Sequence, residues 1–241
     1  MRNQASASLL EKAYPAIHLV IGDLRDPEIC VRWIDSAHQY FGSIDTLVNN
    51  AAVQGPGGRF HELPWPEIES TLAINFTAPA QLIHQALKYF DQQGSGTIIN
   101  LSGGGATNAR PRFAPYGSAK CALVRLTETL AEEYPALRFY AVAPGTMKTQ
   151  MTEAILKLGP MKAGAEFQPL KEKLDRGGDG TERAARLILW LAEQQPGALS
   201  GKLVSAIWDD YEAASSKPVS AEFWTLRRVD DVLRKRLLTD V

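Results

Sequence analysis

Tyr116 and Lys120 stand four residues apart in Tyr116-Gly117-Ser118-Ala119-Lys120. On a helix, that spacing puts both side chains on one face, with Cβ atoms about 5–6 Å apart. A free phenol titrates near pH ~10, too high to exchange protons readily at neutral pH. A nearby ammonium favours the phenolate and lowers that value. The pair therefore suits general acid–base work on an alcohol or a carbonyl. Ser102 precedes Tyr116 by 14 residues and ends an apolar run at Ser102-Gly103-Gly104-Gly105. A hydrolase nucleophile is the first reading of a serine between a strand and a helix. Two facts oppose it. The flanks lack G-x-S-x-G, because position 100 is Asn. His18, His38, His61 and His84 all precede Ser102, whereas the α/β-hydrolase order is serine, acid, histidine.

These groups must be carried by alternating strands and helices. Short apolar runs at 16–21, 44–48, 96–101, 138–142 and 202–208 read as strands. Between them, helical patterns span about Pro27–Tyr40, Pro66–Phe90 and Pro115–Glu133, and Thr181 can N-cap a further helix. Near-continuous apolar strands separated by helices predict an α/β fold, with a parallel sheet covered on both faces. Residues 150–180 break the rhythm and read equally as a functional lid or a surface helix pair. The tail from Pro218 carries Phe223, Leu226, Val229, Leu233 and Leu237 in near-helical register, which predicts an amphipathic helix suited to docking or oligomer contact.

Composition narrows the function. Of 241 residues, 45% are hydrophobic and 22% charged, enough for a sizeable core. Lys plus Arg is 26 against 27 Asp plus Glu, a balance that opposes nucleic-acid or anionic-membrane binding. Cys30 and Cys121 cannot form a disulfide framework, and no segment approaches a membrane span or a signal peptide. A cytoplasmic protein is expected. No metal site is expected either: His61-Glu62 opens like a zinc-protease helix, but position 65 is Trp. No P-loop and no G-x-G-x-x-G occur.

With these residues in place, the sequence resembles the short-chain dehydrogenase/reductase family of NAD(P)-dependent oxidoreductases over about residues 7–210. Tyr116 to Lys120 matches the family's Tyr-x-x-x-Lys, with Ser102 at the catalytic serine's place. Asn49-Asn50-Ala51-Ala52 matches Asn-Asn-Ala-Gly, with Ala for the last Gly. Asn75 matches the asparagine of the central helix. Asp23-Leu24 matches the pair that contacts adenine, and Pro144-Gly145 with Met147 and Thr149 the nicotinamide side. The resemblance implies a Rossmann-like doubly wound parallel sheet. It implies that Tyr116 exchanges the proton, Lys120 lowers its pKa and holds the nicotinamide ribose, Ser102 binds the substrate oxygen, and Asn75 shapes the helix and a proton-relay water. It implies cofactor contacts at Asp23, Leu24, Asn49, Ala51, Tyr116, Lys120, Pro144, Gly145, Met147 and Thr149. Arg2 falls where an arginine meets the NADP 2′-phosphate, which favours NADP over NAD.

One departure is large. The family opens with a strand, a Thr-Gly-x-x-x-Gly-x-Gly loop that cradles the pyrophosphate, a helix and a second strand. The chain shows none of this, so the expectation is a Rossmann-like domain over 1–217 whose N-terminal β-α-β unit is missing, followed by a helical extension over 218–241. The expected partners are a small carbonyl or alcohol substrate and a second copy of the chain in a homo-oligomer. Arg110 and Arg112 suit an anionic or a sugar-like ligand equally. A reading from another class is a degenerate or truncated relative, without dinucleotide binding, that acts as an interaction or regulatory protein.

Overall fold

Thr97–Leu101 forms a strand in which every residue is buried. A strand covered on both faces needs apolar groups pointing both ways, and Ile98 and Ile99 supply them. Ile98 packs with Cys30, Ile83 and Phe90, whereas Ile99 packs with Leu187 and Leu191. The computed structural model describes residue 10 and residues 12–195, 197, 199–216, 219–220, 222–228 and 233. Among them the strands are β1 (Thr46–Asn49), β2 (Thr97–Leu101), β3 (Arg138–Ala143) and β4 (Leu203–Ser205), hydrogen-bonded in the order β1-β2-β3-β4. All three pairings are parallel, with Thr46 opposite Thr97 and Thr97 opposite Arg138.

Helices α1 (Pro27–Phe41), α2 (Trp65–Leu72), α3 (Ala78–Gln93) and α4 (Ala114–Glu133) come before β3. Helices α5 (Gln150–Ala163), α6 (Phe167–Asp175), α7 (Glu182–Glu193) and α8 (Tyr211–Ser216) follow it. Asp26 caps α1 by accepting from the Glu28 amide, Pro27 opens the helix, and Gly42 closes it in the left-handed conformation. Helices α1 and α3 cover one face through Ile34, Leu82, Ala86 and Phe90, and α7 covers the other. Each fully buried leucine, isoleucine or phenylalanine contributes about 1.5–3 kcal/mol.

The structure departs from the sequence reading in four places. Ala16–Ile21 is not a strand. A strand exists through its ladder, and no described residue pairs with this run. The long helix expected from Pro66 to Phe90 is interrupted by a π-helical turn at Ala73–Thr77. The run at 202–208 shortens to the three residues of β4. In the tail, Phe223 lies in a turn, and Leu226 follows it outside any helix. That segment instead covers the sheet margin, where the Leu203 amide donates to the Trp224 carbonyl at 2.7 Å. Val229 and Leu237 lie outside the described residues. Residues 150–180 are a helix pair, α5 and α6, packed on Phe113 through Ile155, Leu170 and Leu174. Among the described residues, no helix is long and apolar enough to cross a membrane.

Candidate active site

Parallel strands end on the same side of the sheet, and ligands of such folds bind beyond those carboxyl ends. Here β1 runs into Asn50-Ala51-Ala52, β2 into Ser102–Gly105 and β3 into Pro144–Thr149. All three segments line one cleft of about 770 Å³. Tyr116 and Lys120 enter it from the first turns of α4, on one face as their spacing demands. The phenol reaches the end of β2. A β-carbon at position 103 would lie 2.3 Å from Tyr116 Oη, so a larger residue after Ser102 would displace the phenol.

The electrostatics differ from the simple ammonium–phenol pair. Burial pushes the Tyr116 phenol above its ordinary value. The Arg110 guanidinium pulls it down and the Glu166 carboxylate pushes it up again. Lys120 is 2% exposed, and burial brings its ammonium from 10.5 down to about 8. Its Nζ donates to the Leu101 carbonyl at 2.7 Å and lies 5.8 Å from the centre of the Tyr116 ring. The lysine therefore ties α4 to the end of β2. Ser102 is held by its backbone, whose amide donates to the Val142 carbonyl at 2.7 Å. Its Oγ is buried without a partner among the described residues, and such a group costs about 1–3 kcal/mol until something pairs with it.

Asn75 is fully buried at the centre of the π-helical turn. Its Nδ2 donates to the carbonyls of Val53 and Thr71, each at 2.9 Å, and its Oδ1 accepts from the Val53 amide at 3.2 Å. It therefore pins the chain that leaves β1 to the helix. A second amide ladder crosses the strands beneath the cleft. Asn49 Nδ2 donates to Asn100 Oδ1 at 2.8 Å, and Asn100 Nδ2 to Thr127 Oγ1 at 2.9 Å.

Of the remaining expected residues, Ala51, Pro144, Gly145, Met147 and Thr149 line the same cleft. Thr149 also caps α5 in a reciprocal arrangement with Thr152. Gly145 has φ 86°, and the next amide, that of Thr146, donates to Asp179 at 2.7 Å. Burial pushes the Asp179 carboxyl up, but Lys173 and the Thr146 amide outweigh it and hold it below its ordinary value. Asn49 and Leu24 line a second cavity of about 270 Å³. Asn50 and Ala51 border both spaces. Asp23 is paired with Arg25, at 2.6 Å between Oδ2 and Nη2. Arg2 lies outside the described residues.

Three further residues belong to the cleft. Arg110 Nε donates to Glu166 Oε2 at 2.8 Å, and its Nη2 donates to Oε1. The guanidinium lies 4.7 Å from the centre of the Phe113 ring and 5.1 Å from that of Tyr116. Gln54 meets it with Oε1, at 3.5 Å from Nη1. Glu166 carries no sequence signal, because the residue it pairs with lies 56 positions away. Gln54 was hidden in a Gly/Pro-rich loop. Arg112, flagged with Arg110, does not line the cleft.

Residues 2–158 match the short chain dehydrogenase family. An uncharacterized oxidoreductase of Thermotoga maritima is 30% identical over 194 residues, which are 77% of this chain and 74% of that protein. Levodione reductase of Leifsonia aquatica is 28% identical over 196 residues, 78% of this chain and 73% of the other. The crystal structure of the KRED1-Pglu enzyme superposes with a TM-score of 0.78 at 28% identity, covering 84% of this chain and 86% of that one. These relatives favour an oxidoreductase over an interaction protein.

Proposed function

Because this chain belongs to the short-chain dehydrogenase family, we propose that Tyr116 and Ser102 act on the oxygen of a carbonyl or alcohol held in the cleft between β2 and α5. The chain is an NAD(P)-dependent oxidoreductase. The carrying observation is Ser102, buried, lining the same cleft as Tyr116, with a hydroxyl that has no partner among the described residues. A substrate oxygen accepts from Ser102 and exchanges its proton with Tyr116 Oη. Burial keeps the phenol protonated at neutral pH, the form needed to protonate an alkoxide developing from a carbonyl. Lys120 fixes the start of α4, so that the phenol meets the end of β2. Asn75 is a positioning residue that holds Val53 and, through it, the Asn50–Ala52 wall. Bound nicotinamide supplies the hydride acceptor or donor.

The chain's residues fit that cofactor at two ends. The Pro144–Thr149 segment and Ala51 suit the nicotinamide side. Leu24 and Asn49 suit the adenine side, in the cavity that shares Asn50 and Ala51 with the cleft, and Asp23 adjoins Leu24 in sequence without lining it. The sequence of 241 residues contains no glycine-rich pyrophosphate loop. Arg2 carries the inference that NADP is preferred to NAD. A cytoplasmic homo-oligomer with domain 1–217 and extension 218–241 completes the reading. The test is oxidation of NADPH and NADH by the 241-residue protein with a panel of aliphatic and cyclic ketones. Turnover with NADPH above that with NADH is expected, and no turnover with either would overturn the proposal.

A further inference from the structure

Besides Ser102, the cleft holds a second polar group that nothing among the described residues satisfies. Gln54 is 6% exposed and lines the cleft, and its Nε2 has no partner among the described residues. The orientation of its amide is decided by Arg110. A guanidinium has donors only, so the atom it meets at 3.5 Å must be the acceptor Oε1. The amide nitrogen is thereby turned away from Arg110 with both hydrogens free to donate.

The backbone on either side of this donor, and the arginine that orients it, are both held. Asn75 grips the preceding residue through both backbone groups of Val53. Gly55 follows with φ 70°, and a β-carbon there would lie 2.2 Å from Thr71 Oγ1, so the loop is packed against α2. Arg110 is itself clamped by Glu166 through two hydrogen bonds and laid over the rings of Phe113 and Tyr116. A donor held this rigidly on supported neighbours is preorganised for a fixed acceptor. The pairing also restricts charge. Glu166 already occupies the fork of Arg110, so a substrate carboxylate would have to displace a matched carboxylate.

We propose that Gln54 Nε2 is a specificity donor, and that the substrate is a neutral carbonyl compound bearing a second oxygen acceptor. This rests on the oxidoreductase reading and deepens it. A site built to hydrogen-bond a substrate oxygen discriminates against the analogue lacking it, because its own buried group is then left unpaired.

The test uses cyclohexanones carrying a methoxy group at C2, C3 or C4, each paired with its ethyl counterpart of the same shape. The readout is the methoxy-to-ethyl ratio of kcat/KM in the native chain, in Gln54→Met and in Gln54→Glu. The glutamate variant keeps an acceptor for Arg110 but loses the donor. For at least one ring position the native ratio exceeds that of both variants by about tenfold or more. Ratios that stay within about twofold across all three proteins overturn the proposal. So does a carboxyl-substituted cyclohexanone that outruns every neutral one. The same ratio of dissociation constants, followed by ligand-observed NMR, requires no turnover. A preserved binding ratio without turnover would sink the oxidoreductase reading and keep the donor. Turnover with an unmoved ratio would do the reverse.

Discussion

The two walls of the cleft are built differently. On the sheet wall, Ser102 and Lys120, and Asn75 outside the lining itself, are each fixed by hydrogen bonds that involve backbone carbonyls or amides. On the lid wall, formed by α5 and α6, the tie to the sheet side is made between side chains, Arg110 with Glu166. That lid also carries a break. Gly159 has φ 74° in front of Pro160, so α5 bends inside its own length. Backbone anchoring is position-independent of rotamers, and it suits groups whose placement decides a proton transfer. Side-chain anchoring can be released and remade, which suits a wall that must admit and select a substrate.

The sharpest way to break this contrast is at the proton-bearing group. Tyr116→Phe is expected to lower turnover by at least about 100-fold, in the range for loss of a positioned acid–base group. Circular dichroism should be unchanged, because among the described residues the phenol oxygen makes no hydrogen bond that a phenylalanine would forfeit. Turnover within tenfold of the native chain, about 1.4 kcal/mol of barrier, would remove Tyr116 from its role. Asn75→Ala comes next. It strands the backbone groups of Val53 and opens a void in the core, and unfolding by urea should show a loss of about 3 kcal/mol. A loss of turnover without any loss of stability would instead give Asn75 a part in the chemistry.

The pH dependence of stability sharpens the sheet wall further. Lys120 is protonated with ease in the unfolded chain at its ordinary 10.5 but held to about 8 in the fold. Its burial penalty is therefore fully present below pH 8 and is relieved as pH rises toward 10.5. Relative to Lys120→Met, the native chain should gain up to about 3 kcal/mol of unfolding free energy across that window. A flat difference would mean that the ammonium is solvated. The smallest effect belongs to the lid. Glu166→Gln weakens a partly exposed pair, so a stability loss of about 1 kcal/mol or less is expected. KM for substrates should move more than kcat, and a kcat collapse comparable to that of Tyr116→Phe would erase the distinction between the walls.

The sheet wall was legible in the sequence because its signals are local. The interval from Tyr116 to Lys120 is one helical turn, and Ser102 and Pro144 end apolar runs that become β2 and β3. The lid wall was legible only as an irregular stretch, since the meaning of Glu166 depends on a partner far along the chain. Ala16–Ile21 failed for a related reason. Its apolar pattern describes a segment able to pair, whereas pairing needs a neighbour that the described sheet does not offer. The tail departed at Phe223 and Leu226, because their near-helical spacing also serves a chain folded back over β4, where the carbonyl of Trp224, not a helix, meets Leu203, while Leu233 is helical.

The π-helical turn at Ala73–Thr77 has a consequence for how this gene can vary. A π turn accommodates one more residue than the α-helical turn it replaces. Each residue rotates a helix by about 100°. The face of α3 that carries Leu82, Ile83, Ala86 and Phe90 into the core is therefore phased to that extra residue. Substitutions along 73–77 can be absorbed one side chain at a time. A single-codon deletion there would turn α3 by roughly a quarter of a revolution and present its polar flank to the sheet. Length, more than identity, is what natural or engineered variation must conserve across this stretch.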